Sequence, residues 1–543
     1  MKMQKRLLLW LLPFIIGGVC HAEDVAIRFD GATAKVKNRA KDSVTVVVDG
    51  AYVTVESLYK GHELTLRLSG RSDDGHLVLK TAGKAKVTLD GLTLTSQEGA
   101  PLWLKNKKKV KVKAAKGTEN TLTITACKDT ANFKAATIWA KDKLELSGEG
   151  TLHLIATGDG CRGVKTKKDI TIEELTLHVI TSGNNLGEKP FGFGGFPGFG
   201  DGEMPDFSKI FGADSLMGKP SGTNGSFYGP PGGFPSFGND STRRGGFPSF
   251  GNDSTRRGGF PPFGNDSTLR GGFFGPPGGF PSFGNDSTSE GGFPGGFGGK
   301  HKYVASTKGI ASKGKITINS GNVTVRTSTP GAEGIEGKEG VVFNGGRIDV
   351  LSPDDAVNAN GVIEFNGADV VARSTGNDAV DANPEGGFFL PFGGDNNQEI
   401  KPIIIVRGGT VYAWSQVGPP EEGLDSDFAP LAIEGGTVFS VGGSIGDSPS
   451  VPNNNTARQP TVLLTDLPIT KDEPVSIFNA DGKLVHTLIV PFSFHGSASI
   501  VTCPAFKVGN TYTLKTTGYE KTFTFSESFV ADRTARRNGG WTM

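Results

Sequence analysis

The sequence predicts an all-β protein built as a parallel β-helix, and three observations carry that prediction. Glycine and proline account for 81 and 31 of the 543 residues, about a fifth of the chain, which argues against a mainly helical fold. Valine, isoleucine and leucine lie in short alternating runs between glycine turns, as they do in strands. Similar runs at 316–325, 341–350 and 363–370 repeat at intervals of 25 and then 22 residues, a period typical of a solenoid of stacked strands.

Residues 1–22 have the pattern of an export signal. Three basic residues precede an apolar stretch at 7–19, and small residues suit cleavage after Ala22. The apolar stretch is too short to span a bilayer, and no later stretch is a transmembrane candidate. We therefore expect an exported protein, in the periplasm, on the cell surface or secreted. Lipidation of Cys20 is an alternative that the preceding Val19 disfavours.

Charge and cysteine content restrict the classes of partner. Without the signal the chain carries 54 basic and 56 acidic residues, so no bulk attraction to nucleic acid or to a membrane is expected. Three cysteines then remain, Cys127, Cys161 and Cys503. An odd number leaves at least one thiol unpaired, and no metal-site spacing links them. The sequence therefore predicts no disulfide framework.

A segment of different composition interrupts the strand pattern at 188–299. It holds 32 glycines, 14 prolines and 19 phenylalanines but almost no branched aliphatic residues, so we expect a disordered insertion. Its repeated Asp-Ser-Thr triplets, which begin at Asp240, Asp253, Asp266 and Asp286, resemble the acceptor of a periplasmic O-glycosylation system of some Gram-negative bacteria. The alternative is that they are polar spacers between phenylalanines.

Strand patterns continue on both sides of the insertion, so the insertion is interpreted as a long loop between two turns of one solenoid. A solenoid also needs a cap over its apolar end. The predicted organisation is a signal peptide at 1–22, a first β-helix part at 23–187, the insertion at 188–299, a second β-helix part at 300–450, a C-terminal β cap at 451–526 and a disordered tail at 527–543.

Aligning one short strand from each turn produces columns of residues. The inward apolar column is Leu102, Ile138, Val164, Ile310, Ile335, Val357 and Val380. The next residue of each strand must point outward because side chains alternate, and this outer column, expected to face solvent, is Trp103, Trp139, Lys165, Ala311, Glu336, Asn358 and Asp381. Two residues further on, five turns carry lysine: Lys105, Lys141, Lys167, Lys313 and Lys338.

These lysines form a ladder of like charges. Stacked strands lie ~4.8 Å apart, so the ammonium groups repel one another unless an anion or water screens them. A polyanion is one expected partner, and the alternative is that the lysines only keep an exposed strand soluble. Residues 85–170 as a whole hold 16 basic and 9 acidic residues, which favours the polyanion.

The later turns are acidic instead. Residues 316–400 hold 4 basic and 13 acidic residues. Acids stacked at this spacing are costly unless a hard cation lies between them, so a Ca²⁺ site is predicted, with plain solvated acids as the alternative. The predicted ligands are Glu333, Glu336, Asp354, Asp355, Asn358, Asp378 and Asp381.

Aromatic residues occupy outward positions at two places. Trp103 and Trp139 lie on neighbouring turns and could stack on sugar rings, or could be covered by another part of the chain. Tyr412 and Trp414 share one face of a later strand and allow the same two interpretations. Exposed aromatic residues, lysines and Ca²⁺ together would suit an acidic polysaccharide.

The chain resembles a family of secreted bacterial carbohydrate-binding proteins built on a right-handed parallel β-helix close to that of pectate lyases. The resemblance lies in the turns at 87–94, 144–152 and 309–313, and in the steps of an acid, Gly or Ala, and Ile or Val within 333–336, 355–358 and 378–381. It implies polysaccharide binding with structural Ca²⁺, including uronate polymers. The chain departs from the pattern at two positions of the acid column, Arg162 and Lys308, so Ca²⁺ is expected in the later turns only.

Three functions are compared. The first is a non-catalytic polysaccharide-binding protein. The second is a Ca²⁺-dependent polysaccharide lyase in which a lysine removes a proton next to a uronate carboxylate, with Lys338 as the candidate base. The third is a surface adhesin that makes its contact through the Phe/Gly insertion. Deleting 188–299 separates the first from the third, because only the adhesin would lose its partner.

Overall fold

A computed structural model describes residues 23–127, 134–186, 306–383, 401–417, 421–427, 429–442, 450–465, 467–494 and 499–532. None of these residues forms an α-helix, and within them no helix is long and apolar enough to cross a membrane. The predicted signal peptide, the Phe/Gly insertion and its Asp-Ser-Thr triplets lie outside the described residues.

The described residues form 38 strands. The strands before the insertion are β1 (Val25–Asp30), β2 (Thr33–Asn38), β3 (Val44–Asp49), β4 (Tyr52–Ser57), β5 (Leu64–Ser72), β6 (His76–Thr81), β7 (Ala85–Ser96), β8 (Leu102–Asn106), β9 (Val110–Ala114), β10 (Glu119–Ile124), β11 (Ala136–Ala140), β12 (Leu144–Ser147), β13 (Thr151–Ala156), β14 (Arg162–Thr166), β15 (Ile170–Glu173) and β16 (Thr176–Thr181).

The strands after the insertion are β17 (Ile310–Ser312), β18 (Ile316–Ile318), β19 (Asn322–Thr327), β20 (Ile335–Gly337), β21 (Val341–Phe343), β22 (Arg347–Ser352), β23 (Val357–Ala359), β24 (Ile363–Phe365), β25 (Asp369–Ser374), β26 (Val380–Ala382), β27 (Ile404–Val406), β28 (Thr410–Ser415), β29 (Leu424–Asp425), β30 (Ala432–Ile433), β31 (Thr437–Val441), β32 (Thr461–Leu464), β33 (Pro474–Asn479), β34 (Leu484–Ile489), β35 (Ser499–Thr502), β36 (Thr511–Thr516), β37 (Tyr519–Thr524) and β38 (Phe529–Asp532).

Each coil of the central region contributes three strands. In one coil these are β11, β12 and β13, and they pair in parallel with β14, β15 and β16 of the next coil. One strand per coil enters an 11-stranded sheet that runs from β29 to β3, and the other two enter a 23-stranded sheet. Long parallel sheets of this kind are typical of a β-helix, so the predicted all-β fold class is confirmed.

The core runs along the inside of the coils. Inward residues such as Leu102, Ile138 and Val164 are fully buried in one continuous apolar cluster. Like residues stack on like from coil to coil, and the rings of Phe343 and Phe365 lie parallel with centroids 5.0 Å apart. Glycine is required at several coil corners; at Gly321, for example, φ is 97° and an added Cβ would lie 2.3 Å from the carbonyl oxygen of Leu175.

The coils on either side of the insertion stack directly on each other. Val164 in β14 pairs with Ile310 in β17, Ile170 in β15 with Ile316 in β18, and Leu177 in β16 with Val323 in β19. All three ladders of one coil therefore continue in register across more than a hundred residues of intervening sequence. Strands β16 and β17 therefore belong to neighbouring coils of one solenoid.

A small antiparallel sheet follows the last coils, as predicted. It consists of β34, β33, β36 and β37, and a second apolar cluster joins it to the outer side of β28 and β31. The predicted disordered tail at 527–543 is wrong at its start, because Phe529–Asp532 forms β38, which pairs in parallel with β32. Phe529 and Val530 pack against the two apolar clusters, which accounts for this ordered strand.

Candidate functional site

The outer column of the 11-stranded sheet exists in the predicted register. Trp103 pairs with Trp139 and Trp139 with Lys165, and the pairing continues through Ala311, Glu336, Asn358 and Asp381. The sheet continues one coil further, where Asp381 pairs with Asp425. The column therefore changes along its length from aromatic to basic to acidic.

The prediction that the outer column faces solvent is wrong for five of its seven residues. Their exposed fractions are 8% for Trp139, 3% for Ala311, 5% for Glu336, 8% for Asn358 and 6% for Asp381. Neighbouring side chains cover them: Lys308 lies against Glu336, Asn358 bonds to two aspartates, and Trp139 packs on Trp103. The alternation of side chains along a strand predicts the direction of a side chain, but it does not predict whether neighbouring residues bury it.

The tryptophan pair, Trp103 and Trp139, does not form a flat platform. The two ring centroids are 6.4 Å apart and the ring planes are perpendicular, so Trp139 meets its neighbour edge to face. Trp103 is half-buried, and the ammonium of Lys105 lies 3.6 Å from its ring centroid, with that of Lys134 at 5.0 Å. A cation over an aromatic face is attractive. Trp103 therefore has less free ring surface for a sugar than the sequence predicts. Trp139 has very little.

The lysine ladder is present and longer than predicted. The backbone nitrogens of Lys141, Lys167 and Lys313 each donate to a carbonyl of the preceding coil, which sets these residues one coil apart. Their side chains are exposed, and none of the three forms an ion pair with any residue that the structure describes. At the N-terminal end of the ladder, Lys105 pairs in register with Lys80, which the sequence alignment missed. The lysine ladder is Lys80, Lys105, Lys141, Lys167, Lys313 and Lys338.

Lys165 lies beside the ladder, in the outer column, and it is half-buried. Its ammonium group has no hydrogen bond or ion pair within the described part of the chain. The positive charge of Arg162, followed by burial and by the more distant Lys308 and Lys313, lowers the pKa of Lys165 to about 7, although Glu336 opposes the shift. The middle of the column therefore holds a cluster of basic groups that a nearby anion would stabilise.

Two predicted metal ligands, Glu333 and Glu336, are held by a lysine instead. Lys308 Nζ lies 2.9 Å from Glu333 Oε2 and 2.7 Å from Glu336 Oε1, and all three side chains are nearly inaccessible. Burial alone would raise the pKa of Glu336, but Lys308 and then Lys338, whose Nζ lies 2.6 Å from Oε1, hold it below its usual range. Lys308 stands at the coil position that Glu333, Asp355 and Asp378 occupy in later coils, and its ammonium contacts both glutamates.

The remaining acids form the aspartate cluster, Asp355, Asp378 and Asp381. One carboxylate oxygen from each lies within 4.8 Å of the others, and all three residues are buried. Ca²⁺ binds oxygen at about 2.3–2.6 Å, so oxygens around one ion are at most ~5 Å apart, and the cluster meets that limit. Asp355 Oδ1 is buried and accepts no hydrogen bond from any described group. The aspartate cluster could hold a metal ion.

Electrostatics support that interpretation. Burial first, and then the neighbouring carboxylates, raise the pKa of Asp355 and of Asp378 well above the usual value. Asn358 Nδ2 donates to Asp355 Oδ2 at 2.7 Å and to Asp381 Oδ2 at 3.1 Å, which offsets a little of the repulsion. Asp354, also a predicted ligand, lies to one side and accepts a hydrogen bond from Asn377 at 2.8 Å. A cation bound by the aspartate cluster would keep its members ionised.

The acidic end extends to residues that the sequence prediction missed. Glu422 is one coil beyond Asp378, and its backbone nitrogen donates to Asp378 Oδ1. Burial, followed by the charge of Asp425, raises the pKa of Glu422 to about 8. The run Glu422-Gly-Leu-Asp425 has the same order of acid, small, apolar and acidic residues as Asp378–Asp381. Extending the column beyond residues 384–421 of the sequence would have found it.

Tyr412 and Trp414 are covered, which decides between their two interpretations. Trp414 is buried, donates from Nε1 to the Phe439 carbonyl at 3.1 Å and packs against Phe492 of the C-terminal region. The Tyr412 hydroxyl lies 3.1 Å from His486 Nε2. These residues join the C-terminal sheet to the solenoid.

Comparison with known proteins finds a match to one family. Residues 49–189 and 282–379 match a family described as carbohydrate-binding domain-containing protein. The predicted resemblance to a carbohydrate-binding family is confirmed. The matched segments contain the whole lysine ladder together with Asp355 and Asp378, whereas Asp381 lies just beyond the second segment.

Two individual proteins are similar to parts of the chain. A carbohydrate-binding domain-containing protein of Acetivibrio thermocellus is 28% identical over 131 residues, which cover 23% of this chain and 45% of that protein. The chain therefore matches less than half the length of this relative. The solved structure of the polysaccharide lyase-like protein from C. thermocellum is 17% identical, covers 66% of this chain and 92% of its own, and superposes with a TM-score of 0.37.

Proposed function

We propose that this protein is an exported, non-catalytic polysaccharide-binding protein that holds acidic polymers, such as polyuronates, along the lysine ladder. The observation that carries the proposal is the stack of exposed lysines at one position of successive coils, inside the segments that match the carbohydrate-binding family. Export is supported by the pattern of residues 1–22.

The geometry suits a linear polyanion better than a small anion. Coils follow one another at ~4.8 Å, a spacing comparable with the length of one sugar residue, so a chain lying along the solenoid would meet a new lysine at about every residue. Adjacent ammonium groups at that spacing repel by about 0.9 kcal/mol in water, and bound carboxylates would remove this repulsion. Lys165 and Arg162 flank the same stretch and add positive charge.

Trp103 has a secondary role in this proposal. Its ring is half-buried and already carries the ammonium of Lys105 on one face, so a sugar would contact only what is left. Trp139 is buried and supports Trp103 from the side. Selectivity for acidic over neutral polymers therefore rests on the lysines.

Calcium has a structural part in the proposal. The aspartate cluster offers only oxygen ligands, at separations that fit one ion, and hard cations prefer such ligands. Bound Ca²⁺ would offset the repulsion among three buried carboxylates on neighbouring coils. The cluster lies at the acidic end of the outer column, away from Lys141, Lys167 and Lys313, so we assign it to stability rather than to contact with the sugar.

The test is a binding assay on the purified protein with matched neutral and uronate polysaccharides, first with Ca²⁺ and then with EDTA. The proposal expects retention on polygalacturonate that weakens with salt, weak retention on neutral glucans, and no growth of the ultraviolet absorbance of unsaturated sugar products. Equal retention on both polymers would overturn the role of the ladder. Growing absorbance would overturn the non-catalytic assignment in favour of a lyase, for which Lys338 is the candidate base.

The same assay on a protein lacking 188–299 tests the adhesin alternative. A binder that uses the solenoid keeps its affinity for polygalacturonate after this deletion. Loss of affinity in a deletion variant with unchanged thermal stability would move the contact to the insertion. Glycan on Ser241 and its equivalents stays a prediction, which mass spectrometry of the insertion peptides checks.

A further inference from the structure

Two of the cysteines meet in one small cluster at the edge of the solenoid. Cys161 is buried with Ile124, Ala135 and Ala156, and Cys127 packs against the same cluster. Cys503 lies elsewhere, in the apolar cluster of the C-terminal region. All three are thiols in the structure. Cys127 and Cys161 therefore share one apolar cluster, and Cys503 lies in another.

Backbone geometry places the sulfur of Cys161 beside the segment that carries Cys127. The nitrogen of Thr157 donates to the Ile124 carbonyl at 3.0 Å, which holds the end of β13 against the end of β10. A Cβ built on Gly158 would lie 2.7 Å from the Thr125 carbonyl oxygen and 2.9 Å from Cys161 Sγ. The Cys161 sulfur is thus close to Thr125, two residues before Cys127. A disulfide needs Cα atoms about 4.4–6.8 Å apart, and the packing of both side chains on one small cluster is the condition for reaching that separation.

We propose that Cys127 and Cys161 form an intramolecular disulfide that joins two successive coils when the protein meets a disulfide oxidant such as oxidised glutathione. The proposal rests on the packing of the two residues and not on the proposed function.

The reaction proceeds by two exchanges. The thiolate of Cys127, the half-exposed partner, attacks one sulfur of oxidised glutathione, and a first glutathione thiolate leaves. The thiolate of Cys161 then attacks the Cys127 sulfur of this mixed disulfide and expels the second glutathione. Two thiols are oxidised, one glutathione disulfide is reduced, and the two thiol protons pass to the released thiolates or to water.

The buried thiol determines the slower step. Burial, and then the neighbouring Cys127, raises the pKa of Cys161 to about 12, so little of it is thiolate at neutral pH. We therefore expect the mixed disulfide at Cys127 to form first and to close more slowly. Cys503 is buried away from both, and burial also raises its pKa, so it should stay a thiol.

The bridge would brace the coil that carries Trp139. The chain between the two cysteines includes β11, and the Ala135 carbonyl accepts a hydrogen bond from the Arg162 nitrogen at 2.9 Å. Lys134, at the start of this coil, lies over the Trp103 ring. A covalent link here closes a loop of about 35 residues in the unfolded chain and should raise the unfolding temperature by a few degrees.

The test uses the folded full-length protein with Cys20→Ser, so that the predicted signal peptide contributes no thiol. After incubation with a mixture of reduced and oxidised glutathione and an acid quench, the protein is unfolded, alkylated and digested without reduction. The expected product is a peptide pair joined through Cys127 and Cys161, in a protein about 2 Da lighter than the reduced form and alkylated only at Cys503. Protein with Cys503→Ser added should give the same link.

Two further results decide the proposal. With Cys161→Ser, oxidation should stop at a glutathione adduct on Cys127, which confirms the order of the two steps. If the parent protein ends as that same adduct, or if its link involves Cys503, the proposed pair is wrong. A folded parent that keeps all three thiols at an oxidising glutathione ratio would also overturn it.

Discussion

Replacing the three exposed members of the lysine ladder should weaken binding to polygalacturonate without destabilising the fold. The variant is Lys141→Gln with Lys167→Gln and Lys313→Gln. None of these side chains forms an ion pair among the described residues, so their removal breaks no contact that holds the structure together. It also relieves repulsion between neighbours of at most about 0.9 kcal/mol per pair, so the unfolding temperature should stay the same or rise slightly.

The expected loss follows from the value of an exposed ion pair. A lysine and a carboxylate 4 Å apart attract by about 1 kcal/mol in water, and measured exposed pairs are worth about 0.2–1 kcal/mol. Three contacts then give about 0.6–3 kcal/mol, or a Kd roughly 3- to 150-fold weaker. Because these contacts are solvent-exposed, the difference should shrink as the salt concentration rises.

Isothermal titration with polygalacturonate fragments at low and high salt measures this loss. The matched control replaces three exposed lysines of the C-terminal region, Lys471, Lys483 and Lys507, with glutamine, which changes the net charge equally. The control should bind like the parent. If both variants lose the same affinity, binding depends on net charge rather than on the ladder. If the ladder variant binds like the parent, the proposed site is wrong.

Three other perturbations test the electrostatics of the outer column. Lys308→Met removes the ion pair of Glu333 and leaves Glu336 paired with Lys338 alone, so it should cost about 3–5 kcal/mol of unfolding free energy in urea, part of which an added Glu333→Gln should restore. The folded-state pKa of Lys165 lies below its unfolded value of about 10.5. Lys165 therefore lowers the free energy of unfolding by its full amount below pH about 7, and this destabilisation disappears as the pH rises to about 10.5. Lys165→Met should therefore stabilise the protein more at pH 6 than at pH 9, and an equal effect at both would contradict the shifted pKa. For the parent, Ca²⁺ at a hundred times its Kd should add about 2.7 kcal/mol of stability. Asp355→Asn should remove that gain while stabilising the metal-free protein, and an undiminished Ca²⁺ response would place the metal elsewhere.

The sequence was sufficient for the architecture because periodicity and pairing are local signals. The runs at Ile316, Val341 and Ile363 predict strands that stack, and these residues do pair in register. The columns of the 11-stranded sheet follow from the same period, since one alignment places every member. Strand β38 was missed because a four-residue run after a turn carries too little pattern to be separated from a tail.

The chemistry of the site was only partly predictable. Acid at one position of each coil predicts repulsion, but which acids face a lysine and which face each other depends on the coil above. Lys308 pairs with Glu333 and Glu336, whereas Asp355 and Asp378 form no ion pair with any residue that the structure describes and make the aspartate cluster with Asp381. The burial of the outward side chains could not be predicted either, because the residues that cover them come from adjacent coils or from distant segments.

The central claim is that acidic polysaccharide lies along the lysine ladder, and lysine protection tests it most directly. The protein is acylated briefly with and without polygalacturonate, and the modified lysines are quantified by mass spectrometry. The account predicts protection of Lys141, Lys167 and Lys313, with Lys471 and Lys483 reacting equally in both samples. Protection confined to other lysines, or full reactivity of the ladder in a saturated complex, would contradict it.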